Sequence, residues 1–186
     1  MTQTQNAAGH TDDLGATPAD DGVRARTFTW TDPARHAHLL GRCGGLELLQ
    51  RMAAGELPPP PVMELLDMSG MEAEQGRVTF YLRPQEFHYN PLGTVHGGVL
   101  STLLDSAAAC AVHSTLPSGL GYTSQDLNVK FLRPVTVASG RLRCEGVVIQ
   151  RGRRTAYAEA RLTDGEGRLV AHATSSCLIF EASPAA

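Results

Sequence analysis

The sequence predicts an α+β fold in which an antiparallel β-sheet curls around one long, buried helix. The first observation is the stretch from Asn90 to Leu116, where apolar residues recur at spacings of three and four, the period of an α-helix. Its many alanines are small helix formers, so another element can pack closely around this helix. The second observation is a succession of strand-like segments after the helix, separated by turn residues. Together these features indicate a sheet that wraps around the helix.

The chain before the predicted sheet divides into two parts. Residues 1 to 28 are rich in Ala, Asp, Gly and Thr, so we expect a disordered or loosely attached N-terminal segment. Residues 29 to 60 are predicted to form a helical extension that ends in a proline-rich link. Its first helix begins at Asp32-Pro33 and carries His36 and His38, which face different ways and therefore do not predict a metal pair.

The second helix of the extension is predicted from Leu46 to Ala54. Leu46, Leu49 and Ala53 share one face of it, and Gly55 ends it. The proline run that follows is expected to act as a rigid spacer into the main domain.

The main domain is predicted to cover residues 61 to 182. Val62 to Met71 is expected to be helical at first and then extended. The pair Asp164-Gly165 predicts a hairpin between the last two strands. The predicted strands are Arg77–Leu82, Tyr122–Leu132, Arg141–Gln150, Thr155–Thr163 and Arg168–Phe180.

Composition and missing motifs exclude several classes of function. The formal net charge of −3 gives no general attraction to nucleic acid or to an anionic membrane. The four cysteines, Cys43, Cys110, Cys144 and Cys177, form no C-x-x-C pair and no zinc pattern, so they are expected to be reduced thiols in a cytoplasmic protein. The N-terminus has no signal-peptide pattern. Since a nucleophile elbow, a Walker A motif and a complete dinucleotide fingerprint are all missing, we expect no cofactor and no metal.

Two features of the central helix fit one chemistry. Glycines at its start, Gly97 and Gly98, would let a substrate carbonyl approach backbone N–H groups that carry a partial positive charge. Asp105, the single acid of the helix, could act as a base or a nucleophile. Gly97 and Asp105 are eight residues apart, about 12 Å along a helix, so one reacting carbon cannot reach both. A two-fold dimer with antiparallel copies of the helix would bring Gly97 of one chain near Asp105 of the other.

The motif Asn-x-x-Gly-x-x-His-Gly-Gly followed by Leu-x-Asp, which begins at Asn90 and ends at Asp105, closely resembles hotdog-fold acyl-CoA thioesterases. Within them it is most similar to the phenylacetic-acid-pathway (PaaI-type) branch, as is the later segment YTSQDLNVKFLRP from Tyr122 to Pro134. The resemblance covers roughly Pro61 to Phe180. It implies a hotdog fold and the hydrolysis of an acyl-CoA to a carboxylic acid and coenzyme A. It also implies a homodimer or a dimer of dimers.

The resemblance assigns five catalytic candidates. Asp105 matches the family's catalytic carboxylate, and Gly97 the residue whose N–H polarises the thioester carbonyl. Asn90 matches an asparagine that positions the water or the carbonyl, although it could instead simply form a turn before Pro91. His96 matches a histidine that supports the same end of the site, with a plain helix cap as the alternative. Ser124 matches a serine that assists the carboxylate in some relatives only.

Substrate-binding candidates are Gly98 and three arginines beside a predicted hairpin, Arg151, Arg153 and Arg154. Arginines suit the phosphates of coenzyme A, although solvated arginines on a turn are common. His88 precedes the motif and is predicted to be an exposed loop histidine. With aromatic residues at only 5% of the chain, composition does not favour an aryl over an aliphatic acyl pocket.

Two other functions stay open at this point. Hotdog domains also serve as acyl-CoA sensors that bind without hydrolysis, but a sensor does not need a carboxylate at the position of Asp105. A hotdog hydratase usually pairs an aspartate with a histidine a few residues away, whereas His113 follows Asp105 by eight residues.

Overall fold

The computed structural model describes residues 22–34, 39 and 42–182. Within them, three α-helices, two short 3-10 helices (Glu86–His88 and Val137–Ser139) and seven strands form the fold. The helices are α1 (Gly45–Ala53), α2 (Pro61–Leu66) and α3 (Gly97–His113). The strands are β1 (Met68–Glu74), β2 (Arg77–Leu82), β3 (Leu120–Ser124), β4 (Asn128–Phe131), β5 (Leu142–Arg151), β6 (Thr155–Thr163) and β7 (Leu169–Glu181).

The strands make one antiparallel sheet that curls around α3. Their order is β1-β2-β5-β6-β7-β3, and β4 also pairs with β7. Helix α3 packs mainly on β5, β6, β2 and β7. The predicted α+β architecture with its central helix is therefore confirmed.

Close contact between helix and sheet depends on small residues. Ala107, Ala108 and Ala111 are fully buried. A Cβ placed on Gly146 of β5 would lie only 2.0 Å from the carbonyl oxygen of Ala107, so strand backbone and helix backbone touch there. The alanines and this glycine explain why the sheet can wrap tightly around α3.

One strand prediction was wrong. The segment predicted as a single strand, Tyr122–Leu132, forms the two strands β3 and β4 with a break at residues 125–127. The break is held by Asp126, whose carboxylate accepts a hydrogen bond from the Ser176 N–H (3.0 Å) and whose carbonyl accepts one from Ser175 Oγ (2.8 Å). Asp disfavours a regular strand because its side chain competes for backbone partners.

The other predicted elements are found close to their predicted bounds. The hairpin after β6 is present, but its loop has five residues, 164–168, and the positive φ falls at Gly167 rather than at Gly165. Asp164 organises this loop by accepting the N–H groups of Glu166 (3.0 Å) and Arg168 (2.9 Å). A one-turn α2 followed by β1 confirms the helical and then extended prediction for Val62 to Met71.

Helix α1 packs on the C-terminal end of α3. A Cβ on Gly45 would lie 1.9 Å from the carbonyl oxygen of His113, and the Gly45 N–H donates to Leu116 O at 2.9 Å. The predicted helix is present. Of the residues predicted to share one face, Leu49 is buried and Leu46 is partly buried, whereas Ala53 is exposed. Leu48 is buried as well, because the close contact at Gly45 sets the rotation of the helix.

The extended segment before α1 contacts the domain through Arg26. Its guanidinium donates to the carbonyl oxygens of Leu65 (2.6 Å) and Glu64 (2.9 Å), the last turn of α2, and lies 4.2 Å from the ring centre of Phe87. Residues 1–21 and most of the predicted first helix, with His36 and His38, lie outside the described residues.

All four cysteines are free thiols, as predicted. No helix in the described part of the chain combines the length and apolar character needed to cross a membrane. The described residues also contain no group of three His, Cys, Asp or Glu side chains that could hold a metal ion.

Candidate active site

The start of α3 is built by a hydrogen-bonded loop. The Asn90 carboxamide oxygen accepts the N–H groups of Leu92 (2.9 Å) and Thr94 (3.3 Å), and its nitrogen donates to Thr94 Oγ1 (3.1 Å). The His96 N–H then donates to the carbonyl of His88 (2.8 Å). The Asn90 side chain therefore stabilises the turn that precedes the first residue of the helix.

His96 caps the helix. Its Nδ1 accepts the Gly98 N–H at 2.8 Å, so the side chain satisfies one of the N–H groups at the helix start. The Gly97 N–H, at the first helical position, has no acceptor among the described residues. A free N–H at a helix N-terminus is a donor for a developing negative charge on a carbonyl oxygen.

Gly97 opens into a pocket of about 380 Å³. Asn90, Thr94 and Arg133 supply polar side chains to its lining. Most of its wall is apolar and comes from Val95, Leu100, Phe131, Leu132, Pro134 and Val135.

Asp105 lies two turns further along α3. Ser124 Oγ donates to its Oδ1 at 2.8 Å, while its Oδ2 has no partner in the described part of the chain. The carboxylate is half-buried and opens into a second pocket, of about 350 Å³. This pocket is polar and is lined by Ser101, Thr102, Ser124, Gln125, Asp126 and Leu127.

Buried groups that hold their protons lie behind Asp105. Burial raises the pKa of the Cys110 thiol to about 12, and burial also raises the pKa of Tyr122 well above its usual value. Their side chains lie 3.9 Å apart, between Cys110 Sγ and Tyr122 Oη. Neither group supplies an anion near neutral pH, so the acidic side chains that line this pocket are those of Asp105 and Asp126.

Two further histidines, His113 and His88, make no contact with the Asp105 carboxylate. His113 is buried against Tyr122, with ring centres 4.9 Å apart, and burial lowers its pKa to about 4. Its ring makes no hydrogen bond to Asp105, so the aspartate–histidine pair of a hydratase is missing among the described residues. His88 is buried rather than exposed: its Nδ1 accepts the Gln85 N–H (3.0 Å) and its Nε2 donates to Leu66 O (2.9 Å).

The three arginines lie at the exposed hairpin between β5 and β6. In the described structure none of Arg151, Arg153 and Arg154 reaches a carboxylate at ion-pair distance, whereas Arg143 is paired with Glu145 at 2.7 Å. Gln125 lines both the Asp105 pocket and a polar pocket of about 370 Å³ that borders the hairpin at Gly152 and Thr155. A continuous polar surface therefore joins Asp105 to the arginine-bearing hairpin.

The residues of the site fall into two groups. Asn90, His96, Gly97 and Gly98 gather at the start of α3, and Asp105 gathers with Ser124. Neither pocket is lined by both Gly97 and Asp105. Phe131 and Gln125 line the pockets but were not predicted from the sequence. Their positions depend on the break between β3 and β4, which no periodic pattern in the sequence indicates.

Comparison with known proteins shows which family the chain is similar to. The family model of the thioesterase superfamily matches residues 92–171. The human protein named acyl-coenzyme A thioesterase 13 is 28% identical over 102 residues, which are 54% of this chain and 71% of that protein. A phenylacetic acid degradation-related protein from Ralstonia eutropha JMP134 superposes with a TM-score of 0.63 at 33% identity, over 70% of this chain and 98% of that one.

A fourth similarity concerns the fold alone. The PaaI protein from the phenylacetic acid degradation operon of E. coli superposes with a TM-score of 0.63 at 19% identity, over 73% of this chain and 94% of that one. The hotdog architecture and the PaaI-type resemblance predicted from the motifs are thus confirmed. By its motifs, its fold and its relatives, the chain belongs to the thioesterase superfamily.

Proposed function

We propose that this protein hydrolyses acyl-CoA thioesters at a site shared by two copies of the chain. Asp105 carries the proposal, because Ser124 holds one oxygen of its carboxylate and leaves the other free in an open pocket. The name of the human relative, an acyl-coenzyme A thioesterase, supports coenzyme A as the thiol.

Two copies are needed because the two halves of the site are separated on one helix. Gly97 and Asp105 line different pockets, about 12 Å apart along α3. Antiparallel packing of α3 from two chains would place Gly97 of each beside Asp105 of the other. The outward face of α3 is suited to this contact, since Gly98, Ser101 and Ser106 are small.

In the proposed mechanism, the thioester carbonyl accepts a hydrogen bond from the Gly97 N–H. Asp105 takes a proton from water, and the water oxygen attacks the carbonyl carbon. The tetrahedral intermediate collapses as its carbon–sulfur bond breaks, and the leaving thiolate takes up the proton. The products are a carboxylic acid and coenzyme A, so atoms and charge balance.

Direct attack by Asp105 is the alternative first step. It would form a mixed anhydride and release the thiol, and water would then cleave the anhydride. A single turnover in ¹⁸O-water tests the nucleophilic route. If water cleaves the anhydride at the Asp105 carbon, the carboxylic acid carries an unlabelled oxygen of Asp105 and ¹⁸O enters Asp105, whereas the general-base route places ¹⁸O in the acid and none in Asp105.

The remaining candidates take supporting roles in this proposal. Asn90 and His96 fix the helix start, so that the Gly97 N–H points at the carbonyl, and Gly98 leaves room for the substrate. The apolar pocket at Gly97 suits the acyl group. The polar surface that runs from Asp105 past Gln125 suits the coenzyme A arm, with Arg151, Arg153 and Arg154 near its phosphates.

The test is a panel of acyl-CoAs of different chain lengths assayed for free thiol. We expect the unsubstituted protein to release thiol and Asp105→Asn to lose about 100-fold or more of kcat, the effect of a lost general base. Asp67→Asn is the matched control, because Asp67 is an exposed acid that lines neither pocket and its left-handed backbone also suits Asn. Binding of acyl-CoA without thiol release would instead identify a sensor.

A further inference from the structure

Phe131 lies directly over the glycine that polarises the carbonyl in the proposed mechanism. Its Cζ is 3.1 Å from the position that a Cβ on Gly97 would take, so the ring occupies the space next to this backbone. The side chain is 53% exposed and is paired with no other ring in the described residues. Its contact with Gly97 is therefore a feature of the pocket rather than of the core.

The strand break sets this position. The break at Asp126 ends the pairing of β3 with β7, and β4 then starts a separate pairing with β7. In that pairing Phe131 lies opposite Ala171. Phe131 shares a strand face with Val129, which packs against the core beneath α3. The ring therefore extends the inner face of the sheet over the N-terminus of α3, and it forms one wall of the apolar pocket.

A substrate held at Gly97 must place its acyl group beside this ring. A carbonyl oxygen about 2.9 Å from the Gly97 nitrogen leaves the carbon next to the carbonyl close to the tip of this ring, because Cζ and the two Cε atoms are the ring atoms nearest to the Gly97 Cβ position. A straight chain can pass the edge of the ring, whereas a methyl branch on that carbon would press against it.

We infer that Phe131 is a specificity-determining residue that excludes acyl groups branched at the carbon next to the carbonyl. The inference rests on the proposed function and adds a substrate class to it, namely acyl-CoAs that are unbranched at that carbon.

The test compares a straight-chain acyl-CoA that the protein cleaves with its branched isomer, for example butyryl-CoA with isobutyryl-CoA. Because the isomers have the same atoms, the ratio of their kcat/KM values reports shape rather than hydrophobicity. We expect this ratio to favour the straight chain in the unsubstituted protein. In Phe131→Ala the ratio should fall by about ten-fold or more, which is the change in kcat/KM that one poorly accommodated methyl group causes. Phe131→Leu, which removes the flat ring but keeps an apolar side chain, should shift the ratio in the same direction if the alanine variant does not fold.

Phe180→Ala is the matched control. Phe180 is also an exposed phenylalanine that packs on a glycine, with its Cε2 2.7 Å from a Cβ position on Gly121, yet it lines neither the Gly97 nor the Asp105 pocket. Its substitution should leave the ratio unchanged. An unchanged ratio in the folded Phe131 variants would overturn the inference and leave the proposed function standing. No thiol release from any acyl-CoA by the unsubstituted protein would overturn both.

Discussion

If the site is shared by two chains as proposed, its two halves can be disabled separately in two variants that are each nearly inactive alone. Gly97→Pro removes the free N–H, and proline is favoured at the first position of a helix. His96, with φ −60° and ψ 135°, already has the backbone that a residue before proline prefers. Asp105→Asn removes the base and keeps the size of the side chain. The two changes therefore disable opposite halves of the site with little change to the backbone.

The size of the effect follows from the geometry. Each variant alone should lose about 100-fold or more, the effect of one oxyanion donor or one general base. In a 1:1 mixture that exchanges chains at random, about half of the dimers are mixed, and each mixed dimer has one intact and one doubly damaged site. The mixture should therefore recover about 25% of the unsubstituted activity. If each chain carried its own complete site, no chain in the mixture would be intact and activity would stay near 1%.

The assay is thiol release after the two variants are unfolded together and refolded, with each variant refolded alone as the baseline. Gly97→Ala is the steric control, since it adds the same Cβ beside Phe131 but keeps the N–H. It should retain far more activity than Gly97→Pro. A mixture that forms mixed dimers, as shown by two different tags, yet stays at the baseline would refute the shared site.

Three further outcomes are expected. Ser124→Ala should lower kcat about ten-fold or more with a smaller change in KM, because the hydrogen bond that orients Asp105 is lost; steady-state thiol release measures this. Burial lowers the pKa of His113 to about 4 in the folded protein. The unfolded chain therefore binds the proton first, and stability should be full above pH 6.5 and fall by up to about 3 kcal/mol towards pH 4, as denaturant unfolding would show, with a flatter profile in His113→Phe. Gly146→Ala should lower the free energy of unfolding by about 3 kcal/mol or more, because its Cβ would collide with the α3 backbone; a thermal melt checks this.

Local patterns were enough to predict the scaffold. The helix from Gly97 to His113 follows from its apolar period and its alanines, and β2 and β6 have the bounds that their alternation predicts. These elements are determined by side chains close to one another in sequence. The start of α3 also followed from local chemistry, since the side chains of Asn90 and His96 bond to groups within four residues.

Long-range contacts were beyond the same reasoning. Asp126 interrupts a strand because its partners are Ser175 and Ser176, about fifty residues away. His88 is buried because Leu66, in α2, offers a carbonyl to its ring. The contact of Phe131 with Gly97 depends on that strand break and on the pairing of β4 with β7. Each of these features depends on a contact between segments that are far apart in sequence, and a periodic pattern within one segment does not predict such a contact.

The position of Asp105 explains why the chemistry in this proposal calls for a second chain. In one copy the carboxylate is half-buried and opens to water, where a general base is well solvated and a developing oxyanion is weakly stabilised. The inner face of α3 is already covered by the sheet, so the exclusion of water must come from the outward face, which carries Gly98, Ser101 and Asp105. A second α3 that covers this face would exclude water from the Asp105 carboxylate. The same contact would bring the Gly97 N–H of the second chain to the site. One helix surface would then form the interface and complete both active sites.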